Sequence, residues 1–315
     1  GRIVEEYPYF ESLFSKDLID YIYSADLRIA NLESPIMKEK TPDRNLAPWP
    51  DKLLQVAPKE MIILLEHLKI DYVSLANNHL FDYGEEGVKQ TLEVLKKHNI
   101  KFSGVGFSLN EAIAPAEFIK EDIKLGIFSF CEYEKSYLKM IIPADESNYG
   151  VNPLNEKTLY KAQKLTKGYD INIACLHWGR EYLPYPSPEQ KSIAQKILNS
   201  NFDLILGNHS HIPMKIDYFS GKAVIYSQGN FIFDQFYYDK PAQIINYHSA
   251  DEKKGVRETN YLPSFVPNLT LKKWDKDSKI SLVAEINISE DKLIDVRRKY
   301  IYFDQEKRLI DFLKE

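Results

Sequence analysis

The chain has 315 residues, with 41 Lys and Arg against 46 Asp and Glu, a formal net charge of −5. A composition of 44% hydrophobic and 28% charged residues excludes disorder as the main state, and the absence of a basic excess argues against nucleic-acid binding. Only 2 Cys are present, which excludes a disulfide framework and a Cys-rich zinc site and leaves nitrogen and oxygen donors for any metal chemistry.

In chain order, apolar positions at helical spacing predict a helix over 10–24. A short strand over 27–32 follows and delivers Asn31 and Glu33 at its end. The Pro-rich stretch 35–56 reads as a loop, and Pro58 opens a predicted helix to Leu68. A strand over 71–76 ends in Asn77-Asn78-His79, and an amphipathic helix covers 85–98. Residues 100–102 lead into a Gly-bearing loop. Strands over 116–120 and 123–131 form a predicted hairpin, residues 132–152 are irregular, and a helix covers 154–167. The buried strand 170–176 ends at His177. Ser187-Pro188-Glu189-Gln190 is a capping box with Pro at the first helical position, opening a helix to about Asn199. A strand over 203–206 ends at Gly207-Asn208-His209, and strands over 214–219 and 222–227 follow. Residues 235–262 read as a long loop. The segments LTLKKW, KISLVAEINI and LIDVRRKYIYFD within 266–304 are expected as strands, with a short helix at the C-terminus.

Strand–helix alternation followed by consecutive strands predicts an α/β layered fold with more than one sheet, as a single domain over 1–315. No apolar run approaches the roughly 18 residues of a membrane span. No signal peptide is visible, and the abrupt start at Gly1-Arg2 suggests a trimmed form. Cys131 and Cys175 sit in apolar strand runs and read as inert core thiols, with a disulfide between neighbouring strands as the alternative.

Four polar clusters fall at the C-terminal ends of predicted strands: Asn31-Leu32-Glu33; Asn77-Asn78-His79 with Asp82; His177-Trp178-Gly179-Arg180-Glu181; and Gly207-Asn208-His209-Ser210-His211. Ligands of open α/β sheets bind at such ends, so these clusters can converge in space. His, Asn and carboxylate together form a mixed N/O set that suits Zn, Mn or Fe. Each residue also has an ordinary structural reading. His177 can be a satisfied buried imidazole, and Glu33 can cap a helix or pair with a Lys. Asn78 tolerates a left-handed turn, His79 can bond that turn, and Asp82 can be an N-cap. Arg180 can be a surface residue, and Trp178 a cleft wall. A His-x-His pair such as His209/His211 is weak alone; its place just past a buried strand gives it weight.

The strings ADLRIANLESPI (25–36), LANNHLFDYG (75–84), HWGREY (177–182), GNHSHIP (207–213) and IYSQGNFIFDQ (225–235) occur in one order along the chain. In these the chain resembles the capsule-synthesis CapA family, associated with poly-γ-glutamate biosynthesis and related to the calcineurin-like metallophosphoesterases. The resemblance implies a four-layer αββα sandwich with a metal centre at the strand ends. By it Glu33 looks like a metal-bridging carboxylate and Asn78 like an amide ligand. His177 and His209 look like ligands of the same ion as Asn78, and His211 like a ligand of a second. His79 looks like the acid near the leaving group, and Asn230 and Asp234 like rim residues. Asp82 or Glu181 would orient the imidazoles, and Arg180 would hold an anionic group. The family opens with a strand bearing Gly-Asp, whose Asp is a ligand; Gly1-Arg2 looks like the tail of that string. One tightly bound divalent metal (Mn, Zn or Fe) is therefore expected, not two.

Three functions follow from the resemblance. One is a metal-dependent hydrolase or transferase in cell-surface poly-γ-glutamate synthesis or processing. The second is a metallophosphoesterase acting on a small phosphoester. The third is a non-catalytic accessory subunit of a polymer-export complex. The expected partners are an anionic polymer or peptide substrate and membrane-bound capsule synthesis or export proteins, with no nucleic acid. The expected location is extracytoplasmic, through an anchor outside this chain.

Overall fold

The structure, a computed structural model, describes residues 12–39, 42–49, 55–133, 141–232, 279–289, 294–304 and 309–313. The expected loop over 235–262, the expected strand at LTLKKW and Asp234 lie outside the described residues.

The first part of the chain contains α1 (Lys16–Tyr23), β1 (Ile29–Asn31), β2 (Ile36–Met37), β3 (Ala57–Pro58), α2 (Met61–His67), β4 (Tyr72–Ser74), α3 (Gly84–Lys97) and β5 (Lys101–Ser103). It continues through β6 (Val105–Gly106), α4 (Leu109–Ile113), β7 (Ala116–Lys120), β8 (Ile123–Cys131), β9 (Gly150–Val151), α5 (Glu156–Leu165) and β10 (Ile171–His177). Then come α6 (Pro188–Asn199), β11 (Leu204–Asn208), β12 (Ile216–Phe219), β13 (Lys222–Ile225), β14 (Ile280–Ile288), β15 (Ile294–Asp304) and β16 (Leu309–Phe312).

Alternation along the strands builds the layers. In β4, Tyr72 points inward and Val73 outward; in β10, Ile173 and Cys175 point inward and Ala174 outward. The inward set joins a parallel three-stranded sheet (β1-β4-β5) to a six-stranded sheet (β12-β13-β11-β10-β8-β7), with Leu282 and Val296 of the β14-β15-β16 sheet completing that core. The outward set of the small sheet packs Val73 and Leu75 on Val88, Leu92 and Leu95 of α3. The outward set of the large sheet packs Phe128, Ala174 and Ile205 on Ala162 of α5 and on Ala194 and Ile197 of α6. The result is the expected helix–sheet–sheet–helix stack. The four inner strands of the large sheet run parallel and its two edges antiparallel. Every residue of β10 is buried, which explains its mostly apolar run; the buried Asn172 amide donates to the Thr166 carbonyl at 3.2 Å.

One polar pin crosses the sandwich. The Tyr72 hydroxyl bonds Ser103 Oγ and Ser129 Oγ, each at 2.6 Å, and Ser103 Oγ donates to the Ile127 carbonyl at 2.9 Å. At Gly207 a Cβ would lie 2.0 Å from the Tyr226 carbonyl oxygen. No side chain fits there, and this close approach seats the turn that carries His209.

Several expectations change. The helix expected from Pro58 starts instead at Met61; Ala57–Pro58 pairs with Ile36–Met37, and the Ala57 N–H bonds the Pro35 carbonyl at 2.8 Å. Residues 101–103, expected to lead into a loop, form β5 against β4. The C-terminal helix is a strand, β16, paired with β15 and held by the Ile310 N–H on the Leu13 carbonyl at 2.7 Å. Tertiary pairing overrides weak local preference in all three. The first helix begins at Lys16, where Ser15 Oγ accepts the Leu18 N–H. The capping box at Ser187 and Gln190 is present. Cys131 and Cys175 are both buried thiols and are not joined in a disulfide. Among the described residues, no helix is long and apolar enough to cross a membrane.

Candidate metal centre

All four polar clusters lie at the C-terminal ends of β1, β4, β10 and β11. Asn77 ties two of them together. Its Nδ2 donates to the Leu32 carbonyl at 2.8 Å, and its Oδ1 accepts the N–H groups of His79 and Leu80 at 3.1 and 3.0 Å. That fixes the turn after β4 against the end of β1 and sets Asn78 beside Glu33. The turn after β11 is held in left-handed backbone, φ 93° at His209 and φ 60° at His211, a conformation non-glycine residues adopt at a cost. It turns both imidazoles into the site, and the Tyr182 N–H bonds the Ser210 carbonyl at 2.7 Å.

His177 Nε2 is the hub. It lies 2.7 Å from Asn78 Oδ1, 3.0 Å from His209 Nδ1 and 3.6 Å from Glu33 Oε1. An ion bonded at about 2.1 Å in tetrahedral geometry sets its ligand atoms about 3.4 Å apart, so these separations fit one shared cation. The donor chemistry fits as well. A single Nε2–H cannot serve both an amide oxygen and an imidazole nitrogen, and Glu33 Oε1 is buried with no hydrogen-bond partner among the described residues. A cation satisfies all four atoms at once. Among the described residues, Glu33, His177 and His209 are the one group of three His, Cys, Asp or Glu side chains close enough to share an ion. His211 is outside it: its Nε2 lies 3.9 Å from Glu33 Oε1. Asn230 orients that ring, since His211 Nδ1 lies 2.8 Å from Asn230 Oδ1 and Asn230 Nδ2 donates to the His211 carbonyl at 3.0 Å.

A second pair lies beside the hub. His79 Nδ1 is 2.7 Å from Asp82 Oδ2, and Asp82 is fully buried. The Gln55 N–H donates to the same Asp82 oxygen at 2.5 Å, and Gln55 Nε2 sits 3.3 Å from His79 Nε2. Arg180 and Glu181 are exposed on the turn after β10. Glu181 reaches the site through its field, which acts to raise the Glu33 pKa. Trp178 is a buried wall whose Nε1 donates to the Tyr226 carbonyl at 3.1 Å.

Two positioning residues lie outside the four polar clusters of the sequence. Gln55 ends the Pro-rich loop. Glu132 is buried just past β8, where its Oε2 accepts the Gly179 N–H at 2.8 Å and its own N–H bonds the His177 carbonyl at 2.9 Å. A carboxylate just past a buried strand is the only hint the sequence offered for Glu132.

Burial pushes the Glu33 carboxyl above its ordinary range, partly offset by His211, His79 and the Asn31 amide. Burial, then the nearby His211 and His79, hold His209 well below the ordinary imidazole range. Its lone pair is thus free of a proton at neutral pH, as a ligand requires. With the ion chelated, the unfolded chain takes up a proton near pH 6.5 that folded His209 refuses. Stability from this group is therefore present above pH 6.5 and falls as pH drops below it, by at most about 1.4 kcal/mol per pH unit. Glu33 has the opposite sign, because its raised folded pKa costs stability as pH rises above 4.5. Urea unfolding in chelator at pH 7.5 and 5.5 is expected to show a smaller loss on acidification in His209→Asn than in the wild type.

Comparison with known proteins gives a match to the bacterial capsule synthesis protein PGA_cap family over residues 3–235. The capsule biosynthesis protein CapA of Bacillus anthracis is 27% identical over 242 residues, 75% of this chain and 57% of that protein. The PGA biosynthesis protein CapA of Bacillus subtilis is 28% identical over 285 residues, 88% of this chain and 72% of that protein. A Mycobacterium tuberculosis protein described as a polyglutamine synthesis accessory protein is 26% identical over 219 residues, 67% of this chain and 56% of that protein. The match thus spans little more than half the length of the first and third of these relatives.

Proposed function

We propose, from the premise that this chain belongs to the bacterial capsule synthesis protein PGA_cap family, that it is a divalent-metal-dependent hydrolase or transferase. Its substrate is an anionic γ-glutamyl polymer or peptide at the cell surface, in an extracytoplasmic setting alongside membrane-bound capsule synthesis or export proteins. The observation that carries the reading is the hub at His177 Nε2, with Asn78 Oδ1, His209 Nδ1 and Glu33 Oε1 within 3.6 Å of it. Asn78, His177, His209 and Glu33 would hold the ion. Zn, Mn or Fe suits this mixed donor set.

When bound, such an ion supplies Lewis-acid polarisation of a carbonyl or phosphoryl oxygen and eases deprotonation of water. The chain's own residues do the rest. Asp82 takes a hydrogen bond from His79 Nδ1, which fixes the ring. His79 Nε2 then delivers the proton to the leaving nitrogen or oxygen. Gln55, beside that nitrogen, leaves it when substrate takes the position. Arg180, exposed on the turn after β10, would pair with a substrate carboxylate. The test is release of glutamate from a γ-linked glutamate oligomer with Mn²⁺ present. Release is expected from the wild type and not after chelation; an equally active chelated protein contradicts the reading.

A second reading, a non-catalytic accessory role, has two supports: the description of the mycobacterial relative and the position of His211 outside the three-residue group. Metal binding with silence on both the oligomer and an aryl phosphate would favour it. Turnover of the aryl phosphate alone would favour a small-phosphoester substrate instead.

A further inference from the structure

We infer that Gln55 selects the leaving group: its carboxamide recognises a carboxylate on the carbon that bears the leaving nitrogen, as in an α-amino acid. The inference rests on the hydrolase reading above and concerns the side of the substrate that the four metal donors do not hold. Gln55 sits on the frame that carries His79. Two residues on, β3 pairs with β2, and the Ala57 N–H bonds the Pro35 carbonyl at 2.8 Å. That ribbon is tied to α3, because the Ile36 N–H donates to Thr91 Oγ1 and the Lys38 N–H to Gln90 Oε1, each at 2.9 Å.

Asp82 lies just before α3, and it is buried. Its Oδ2 accepts the Gln55 N–H at 2.5 Å and lies 2.7 Å from His79 Nδ1. One carboxylate oxygen therefore sets both the Gln55 backbone and the His79 ring. From that anchor the Gln55 side chain reaches the other edge of the ring, with Gln55 Nε2 at 3.3 Å from His79 Nε2. The backbone bond to Asp82 does not involve the side chain, so the carboxamide stays beside His79 when a substrate takes its place on Nε2.

The pair selects by spacing and by charge. A carboxamide nitrogen carries two donors and no acceptor, so once it gives up His79 it needs an acceptor from the substrate. Ordinary bond lengths put a carboxylate oxygen about 3 Å from the nitrogen of the same α-amino acid, close to the 3.3 Å between the two protein nitrogens. The leaving nitrogen on His79 Nε2 and its neighbouring carboxylate on Gln55 Nε2 thus make a two-point contact. Every residue of a γ-glutamyl polymer carries that carboxylate; a plain alkylamine or aryl alcohol offers the first point and lacks the second. A charged acceptor also makes the stronger bond. A neutral donor suits the position, since a Lys or Arg here would pair with Asp82 and compete with His79 for it.

The test uses the full 315-residue chain with Mn²⁺ and two dipeptides, γ-glutamyl-glutamate and γ-glutamyl-γ-aminobutyrate, which differ only in that carboxylate. The wild type is expected to favour the first by about tenfold or more in kcat/KM and Gln55→Ala by about twofold or less, the difference being one hydrogen bond to a charged group. Gln55→Glu keeps the shape and replaces the donor with an anion, so its preference is expected to reverse. Each preference is a ratio within one variant, so a loss of folded or metal-loaded protein cancels. The two leaving groups, glutamate and γ-aminobutyrate, are also titrated as ligands into wild type and Gln55→Ala by calorimetry, which needs no turnover, and the same preference for glutamate is expected in the wild type alone. Turnover decides where it occurs, and binding decides where it does not. Absent or unselective recognition by the wild type, or an equal preference in wild type and Gln55→Ala, overturns the proposal. Selective, Gln55-dependent binding without turnover of either dipeptide overturns the hydrolase reading and leaves the Gln55 contact standing.

Discussion

His177→Ala is expected to lower affinity for a divalent ion at least about a hundredfold, the upper end of what even an indirect contact to a metal site costs. The reason is geometric. His177 Nε2 lies within 3.6 Å of each of the other three donors, so losing it removes the atom they share. Titration calorimetry with Mn²⁺ or Zn²⁺ into the metal-stripped chain reads this directly. A thermal melt reads it again, since an ion at a hundred times its dissociation constant stabilises the folded state by about 2.7 kcal/mol. That increment is expected in the wild type and not in His177→Ala. Because His177 is buried, the variant also loses packing, and melts in chelator separate that loss from the metal term. His211→Ala is the informative partner. Its Nε2 lies 3.9 Å from Glu33 and outside the three-residue group, so most of the affinity is expected to remain. Equal losses in the two variants would contradict a single strong site.

The second large effect is on turnover. His79→Ala is expected to cut glutamate release about 10²- to 10⁴-fold, the range for losing a positioned general acid, while metal content stays at the wild-type level. Asp82→Asn is expected to fall between. The amide keeps the shape, but it presents a neutral group to His79 Nδ1, and the Gln55 N–H loses a charged acceptor. A lower kcat with little change in KM, and loss of the alkaline limb of the pH–rate profile, would mark loss of the acid. An unchanged alkaline limb would make the pair structural.

Much of this site was readable because its parts sit at the ends of apolar strands. The runs leading to Asn31, His79, His177 and His209 are short and mostly apolar, as strands of a covered sheet are, and chain polarity puts their carboxyl ends on one side. The hairpin over 116–131 was equally legible from its bounded apolar runs. What escaped depends on distant pairing. Pro58 looks like a helix start in isolation, yet the Pro35 carbonyl recruits its neighbour Ala57 into a strand. Leu309–Phe312 is too short to show a period, and β15 decides its state. Gln55 and Glu132 act through one backbone N–H and one carboxylate at long sequence separation, to which local pattern is blind. Asn77 was visible only as part of a cluster; its role as the tie between two turns needed the Leu32 carbonyl in view.

The most direct measurement is metal content by plasma emission on the chain purified without chelator and dialysed exhaustively. One divalent ion per chain is expected, falling to none in His177→Ala. An ion-free wild type after saturation with Mn²⁺, Zn²⁺ or Fe²⁺, or two tightly held ions per chain, would contradict the single centre built on Glu33, Asn78, His177 and His209.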